Sequence, residues 1–204
     1  MGDDFGVMTR KPLDHWGEIL RRWCDIIDQH CRIIAPQDRP WWHGERACAG
    51  LIASAAHQCG LACSLEISLN RVNRTGQCDL WLQRPGTGTA DPPKSDFIEL
   101  KLDTIKMLDD YPDSSEFERA MEDASSIDVT KETGLRIGAC LYEVSTETRE
   151  AQKPYIFALL ERIANKLKPD AMAWSFPQCI WHVANDNTYH FGAILVLKNT
   201  SDAF

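Results

Sequence analysis

Three polar side chains set in apolar stretches have the types and spacing to do chemistry: Asp79 in "QCDLWLQ", and Glu99 with Lys101 in "FIELKLD". Residues two apart on a strand share a face, so Glu99 and Lys101 point one way, while Ile98, Leu100 and Leu102 point the other, toward a core. Pairing the two segments as a hairpin brings Asp79 beside Glu99. Adjacent carboxylates repel, and burying that repulsion costs free energy unless a cation offsets it. A hard divalent ion, Mg²⁺ or Mn²⁺, takes oxygen ligands and keeps several waters, so two carboxylates, a backbone carbonyl, solvent and a phosphate would suffice. A lysine beside it can hold the attacking water and stabilise charge building on the phosphate. Hydrolysis of a phosphodiester bond would use each of these parts.

The elements that must position these residues follow from hydrophobic period. After a polar leader, residues 1–12, the run "LDHWGEILRRWCDIIDQHCRII" places Leu13, Trp16, Ile19, Leu20, Trp23, Ile26, Ile27 and Ile34 at helical spacing. "APQDRP" breaks it, and an Ala-rich helix follows from about Trp42 to Gln58, ending near Gly60. "CSLEISLN", "QCDLWLQ" and "DFIELKL" then read as a strand meander joined by "RVNRTG" and "RPGTGTADPPKS". "SEFERAMEDASSI" is a helix with Ser115 and Glu118 in capping-box spacing, and "RIGACLYEVS" is a fourth strand. "KPYIFALLERIANKLKPD" is a helix, and "QCIWHV" with "YHFGAILVL" is a closing hairpin around "ANDNT". The order α-α-β-β-β-α-β-α-β-β describes one α/β domain over residues 13–204 with a mixed central sheet.

Asp79, nineteen intervening residues, and then Glu99-Leu100-Lys101 on an apolar strand, within an α-β-β-β-α-β order, resembles the PD-(D/E)XK nuclease superfamily. The resemblance covers roughly residues 40 to 145, with Cys78 where the motif's name has proline. It implies a restriction-endonuclease-like core with an extra N-terminal helix and a C-terminal hairpin. It further implies that Asp79 and Glu99 bind Mg²⁺ or Mn²⁺, that Lys101 assists the water, and that DNA or RNA is cut. Many members add a glutamate from the helix before the meander, and Glu45, on the helical face of Cys48, Ala49 and Ile52, is the candidate further metal ligand. The alternative is a catalytically degenerate nuclease-like scaffold that binds or regulates a partner. Each residue also has a plainer role: a solvent-facing cross-strand pair for Glu99 and Lys101, a strand-end acid for Asp79, a helix-dipole partner for Glu45. Glu66, on the polar side of its strand, is a reserve ligand.

The net charge of −8 resides in residues 107–150, with twelve acidic and four basic side chains, while 66–106 has six of each. Generic nucleic-acid affinity comes from basic side chains displacing phosphate counterions, so phosphate contacts here must be local: Arg71, Arg74, Arg84 and Lys94 in the links, with Lys106 beyond them. The acidic stretch 107–132 could meet a basic protein partner. No apolar run spans a membrane and the N-terminus lacks a signal-peptide core, so a cytoplasmic protein with eight free thiols is expected. "HQCGLAC" lacks familiar zinc spacing. His43 beside Trp41 and Trp42 could contact a base, although such tryptophans usually fill a core. His182 and His190 fall in the closing hairpin and carry no assigned role.

Overall fold

The structure is a computed structural model that describes residues 4–34, 38–72, 74–86, 92–107, 113–128, 134–146, 153–180 and 188–200. Its elements in chain order are β1 (Phe5–Thr9), α1 (Trp16–Ile34), a 3-10 turn (Pro40–His43), α2 (Glu45–Gln58), β2 (Ala62–Arg71), β3 (Arg74–Arg84) and β4 (Lys94–Lys106). They continue with α3 (Ser115–Ser125), β5 (Gly134–Thr146), α4 (Lys153–Leu167), β6 (Ala171–Ser175), a second 3-10 turn (Gln178–Ile180) and β7 (Tyr189–Asn199). One mixed seven-stranded sheet runs in the order β1-β6-β7-β5-β4-β3-β2. Among the described residues β4 and β5 form the only parallel pair, and α3 lies in the crossover that joins them.

Helices cover both faces of the sheet. Leu13, Trp16, Leu20, Trp23 and Ile27 of the α1 region, with Cys48 and Ile52 of α2, pack on Leu80, Leu82, Ile98, Leu100, Ala139 and Leu141. On the other face, Phe117 of α3 and Ile156, Leu159 and Ile163 of α4 pack on Ile105, Cys140, Tyr142, Ile194 and Val196. With both faces covered, β4 is buried from Ser95 to Leu100, and the side carrying Glu99 meets α3 rather than solvent. Asp96 ties the layers together: 1% exposed, it accepts from Trp16 Nε1 at 3.0 Å and Arg84 at 3.2 Å, and lies 2.6 Å from His15 Nε2.

Several expectations need correcting. The leader contains β1, an edge strand whose partner is β6, "AMAWS", and neither was expected. β7 pairs with β6 and β5, not with "QCIWHV", whose first three described residues belong to the second 3-10 turn; the rest of that segment, including His182, lies outside the described residues. A 3-10 turn occupies Pro40–His43, so α2 starts at Glu45. The α3 start is displaced by one residue: Ser114 is the N-cap and its hydroxyl donates to Glu118. All eight cysteines are free, and no helix among the described residues is long and apolar enough to cross a membrane.

Candidate functional site

The site begins where β3 parts from β4. Backbone pairing runs from Arg84↔Lys94 to Leu80↔Ile98 and stops one step short of Asp79 and Glu99. Side chains take over there: Asp79 Oδ2 accepts from the Leu100 N–H at 2.7 Å, and the Cys78 thiol donates to the Ile98 carbonyl at 3.2 Å. Beyond this fork the β2–β3 hairpin turns toward α3. Val72 N–H donates to the Ser126 carbonyl, Asp128 N–H donates to the Asn70 carbonyl, and Arg71 bridges to Ile127.

Glu99 lies beside the fork, 4% exposed. Its Oε1 accepts from Arg71 at 2.6 Å, with both side chains nearly sealed from solvent. Burial first, and Asp79 second, push the Glu99 carboxyl up to about 7 against the opposing pull of Arg71. Lys101 follows on the same face and pairs with Asp123 of α3 at 3.2 Å. Burial pulls the Lys101 ammonium down, but the hydrogen bond it donates to Asp123 and the charges of Glu45, Asp123 and Asp79 leave it above its ordinary value. Lys101 thus feels Glu45 and Asp79 as well as its direct partner.

A cavity of about 140 Å³ adjoins this group, lined by Glu45, Arg46, Ala49, Leu65, Glu66 and Asp79. Glu45 reaches it from the first turn of α2, half-buried above Cys48, Ala49 and Ile52. Glu66 reaches it from β2, where the register sets it opposite Asp79 and its φ of 51° interrupts the strand. Glu66 is ion-paired with Arg46. The fold therefore brings Asp79, Glu99, Lys101 and Glu45 into one neighbourhood, with Glu66 added. Among the described residues, however, no three His, Cys, Asp or Glu side chains are arranged to hold a metal ion. The internal donors explain this: Leu100 N–H holds Asp79, Arg71 holds Glu99 and Arg46 holds Glu66.

The basic candidates divide. Arg71 and Arg84 are drawn inward to Glu99 and Asp96, while Lys94 lies exposed at the start of β4 and Lys106 exposed at its end. The Arg74 side chain is outside the described set. A second cavity, about 260 Å³, opens near the C-terminal ends of the parallel strands between Trp41, Leu102, Asp103, Thr104, Leu141 and Glu143. Glu143 accepts from Trp42 Nε1 at 3.1 Å and lies 2.6 Å from His190 Nδ1. Burial raises the Glu143 carboxyl, but His190, Trp41 and Trp42 outweigh it and leave it below the ordinary range. Trp41 is core; Trp42 is exposed and stands edge-on to His190. His57 Nε2 and Cys63 Sγ approach to 3.1 Å.

Asp123, which anchors Lys101, and the inward role of Arg71 have no signature in the sequence, because each contact joins segments that only the fold brings together. No protein-family model, curated protein or solved structure matches this chain.

Proposed function

We propose that this α/β protein is a divalent-cation-dependent phosphodiester hydrolase of restriction-endonuclease-like topology, acting on DNA or RNA in the cytoplasm. The supporting observation is the placement of Asp79 and Glu99 side by side at the β3–β4 fork, with Lys101 on the Glu99 face and within electrostatic reach of Asp79 and Glu45. The meander β2-β3-β4, followed by α3 and a parallel β5, is the element order that the resemblance implies.

The donors suit a hard ion in type, all being carboxylate oxygens, and Asp79 and Glu45 line a small cavity. Asp79 and Glu99 would hold Mg²⁺ or Mn²⁺, with Glu45 as a further ligand, and the ion would supply Lewis-acid polarisation of a phosphate and acidification of water. Lys101, kept protonated by its acidic neighbours, orients the attacking water and stabilises the negative charge that grows on the phosphate. Asp123 fixes the ammonium in position from α3.

The test is Mn²⁺- or Mg²⁺-dependent cleavage of single- and double-stranded DNA and RNA by the pure protein. Lys101→Ala should lower the rate by about a hundredfold or more, the usual scale for removing one positioned electrostatic group; cleavage that survives in this variant removes the assignment. A second reading has its own support. Glu99 is already neutralised by Arg71 and Lys101 by Asp123, which suits a nuclease-like scaffold retained for binding, its acidic 107–132 surface meeting a basic partner. Absence of Mn²⁺ binding in calorimetry would favour that reading over hydrolysis.

A further inference from the structure

We propose that Arg71 is the resident counter-cation of this site, holding on Glu99 the place that a divalent ion would take, so that the Arg71 ion pair and cation binding oppose each other. The inference rests on the metal-dependent reading above. It makes Arg71 a positioning residue that sets how readily the site accepts its ion, rather than a contact for substrate phosphate.

The arginine is built into the fold for this position. One guanidinium nitrogen donates to Glu99 Oε1 at 2.6 Å and also to the Gln77 carbonyl. The other donates to the Asp123 carbonyl at 2.9 Å and to Ser126 Oγ at 2.8 Å. Gly76, across the hairpin, leaves room for the stem: a Cβ there would fall 2.4 Å from Arg71 Nε. Both members of the pair are sealed, with 6% and 5% of the side chains exposed.

A buried carboxylate beside a second carboxylate requires positive charge nearby, and here the guanidinium supplies it. A divalent ion arriving at the same carboxylate would meet the positive charges of Arg71 and Lys101, in a setting where solvent screens poorly. Either Arg71 moves away, breaking its anchors on α3, or the ion binds against its charge. Asp123 couples the two cations, because its carbonyl holds Arg71 while its carboxylate holds Lys101. Loosening Arg71 should therefore improve cation binding, which damage to the fold would not do.

The experiment is calorimetric titration with Mn²⁺ alone, in parallel with Mn²⁺-dependent thermal shift, on wild type, Arg71→Gln, Ser126→Ala and the double variant R71Q/E99Q. Arg71→Gln should bind Mn²⁺ about tenfold more tightly than wild type or better, the scale expected for removing a unit charge beside a buried ion. Its melting temperature should be depressed without Mn²⁺ and recover with it. The gain should vanish in R71Q/E99Q, showing that it passes through Glu99. Should Arg71→Gln not fold, Ser126→Ala decides, with an expected gain of about two- to threefold from losing one anchoring hydrogen bond. Wild type that binds Mn²⁺ no more weakly than these variants, or a gain that persists in the double variant, overturns the role of Arg71 and leaves the hydrolase reading standing. Failure of every form to bind at millimolar Mn²⁺ overturns both.

Discussion

Glu99 concentrates the physics of the site in one carboxyl. Burial and Asp79 hold its pKa near 7, well above the usual carboxylate range. In an unfolded chain a glutamate titrates at about 4.3, so between that pH and about 7 the folded protein keeps a proton that the unfolded chain has released. The sign follows directly: this group makes folding less favourable as pH rises through that window, and the loss is complete above it. The unfolding free energy of metal-free wild type, read from urea titrations, should therefore carry a downward component between pH 4.5 and pH 8 of about 4 kcal/mol at most. In Glu99→Gln that component should be missing; an identical pH profile in the two proteins would show that Glu99 titrates normally. The sequence placed Glu99 and Lys101 on one face of a strand, and the strand is there. It did not supply Arg71, twenty-eight positions earlier, because a pair at that separation meets only after the hairpin has bent toward α3.

At the scale of elements, α3 is the clamp. Its backbone passes so close to β5 that a Cβ on Gly138 would fall 2.8 Å from the Met121 backbone. Gly138 is also the residue opposite Glu99 in the parallel register, so the close approach occurs beside the site. Gly138→Ala should push α3 outward and cost about 1–3 kcal/mol, as overpacking of a well-filled contact does. The check is a lower urea midpoint at unchanged m-value, with the Lys101–Asp123 ion pair loosened as the helix moves. A variant with wild-type stability would mean that α3 sits farther from β5. The helices and the meander could be read from their periods, but β1 and β6 could not. Each is five residues long, too short for a pattern to stand out, and each becomes a strand because a neighbour supplies its ladder hydrogen bonds. The expected hairpin of "QCIWHV" with β7 fails for a different reason: β7 already has β5 on one side and β6 on the other.

For the whole molecule, the net charge of −8 opposes generic phosphate binding, and Arg71 and Arg84 are engaged inward. Affinity for a duplex oligonucleotide without divalent cation should be weaker than about 10⁻⁵ M at physiological salt, with a shallow salt dependence equivalent to a few phosphates at most. Fluorescence anisotropy across a salt series measures both; tight binding with a steep slope would reveal a basic surface that the fold does not suggest. The sequence by itself determined the mixed α/β class, the meander with its flanking helices, and the pairing of acid and lysine on β4, because side-chain period and turn residues act over short chain distances. Tertiary structure decided that Glu99 is buried and Lys101 half-buried under α3 rather than solvent-facing, that Asp79 stands at a fork, and that Arg71 and Asp123 hold the two charges. Those outcomes depend on which distant segments share the low-dielectric space between sheet and helix, and no local pattern encodes that.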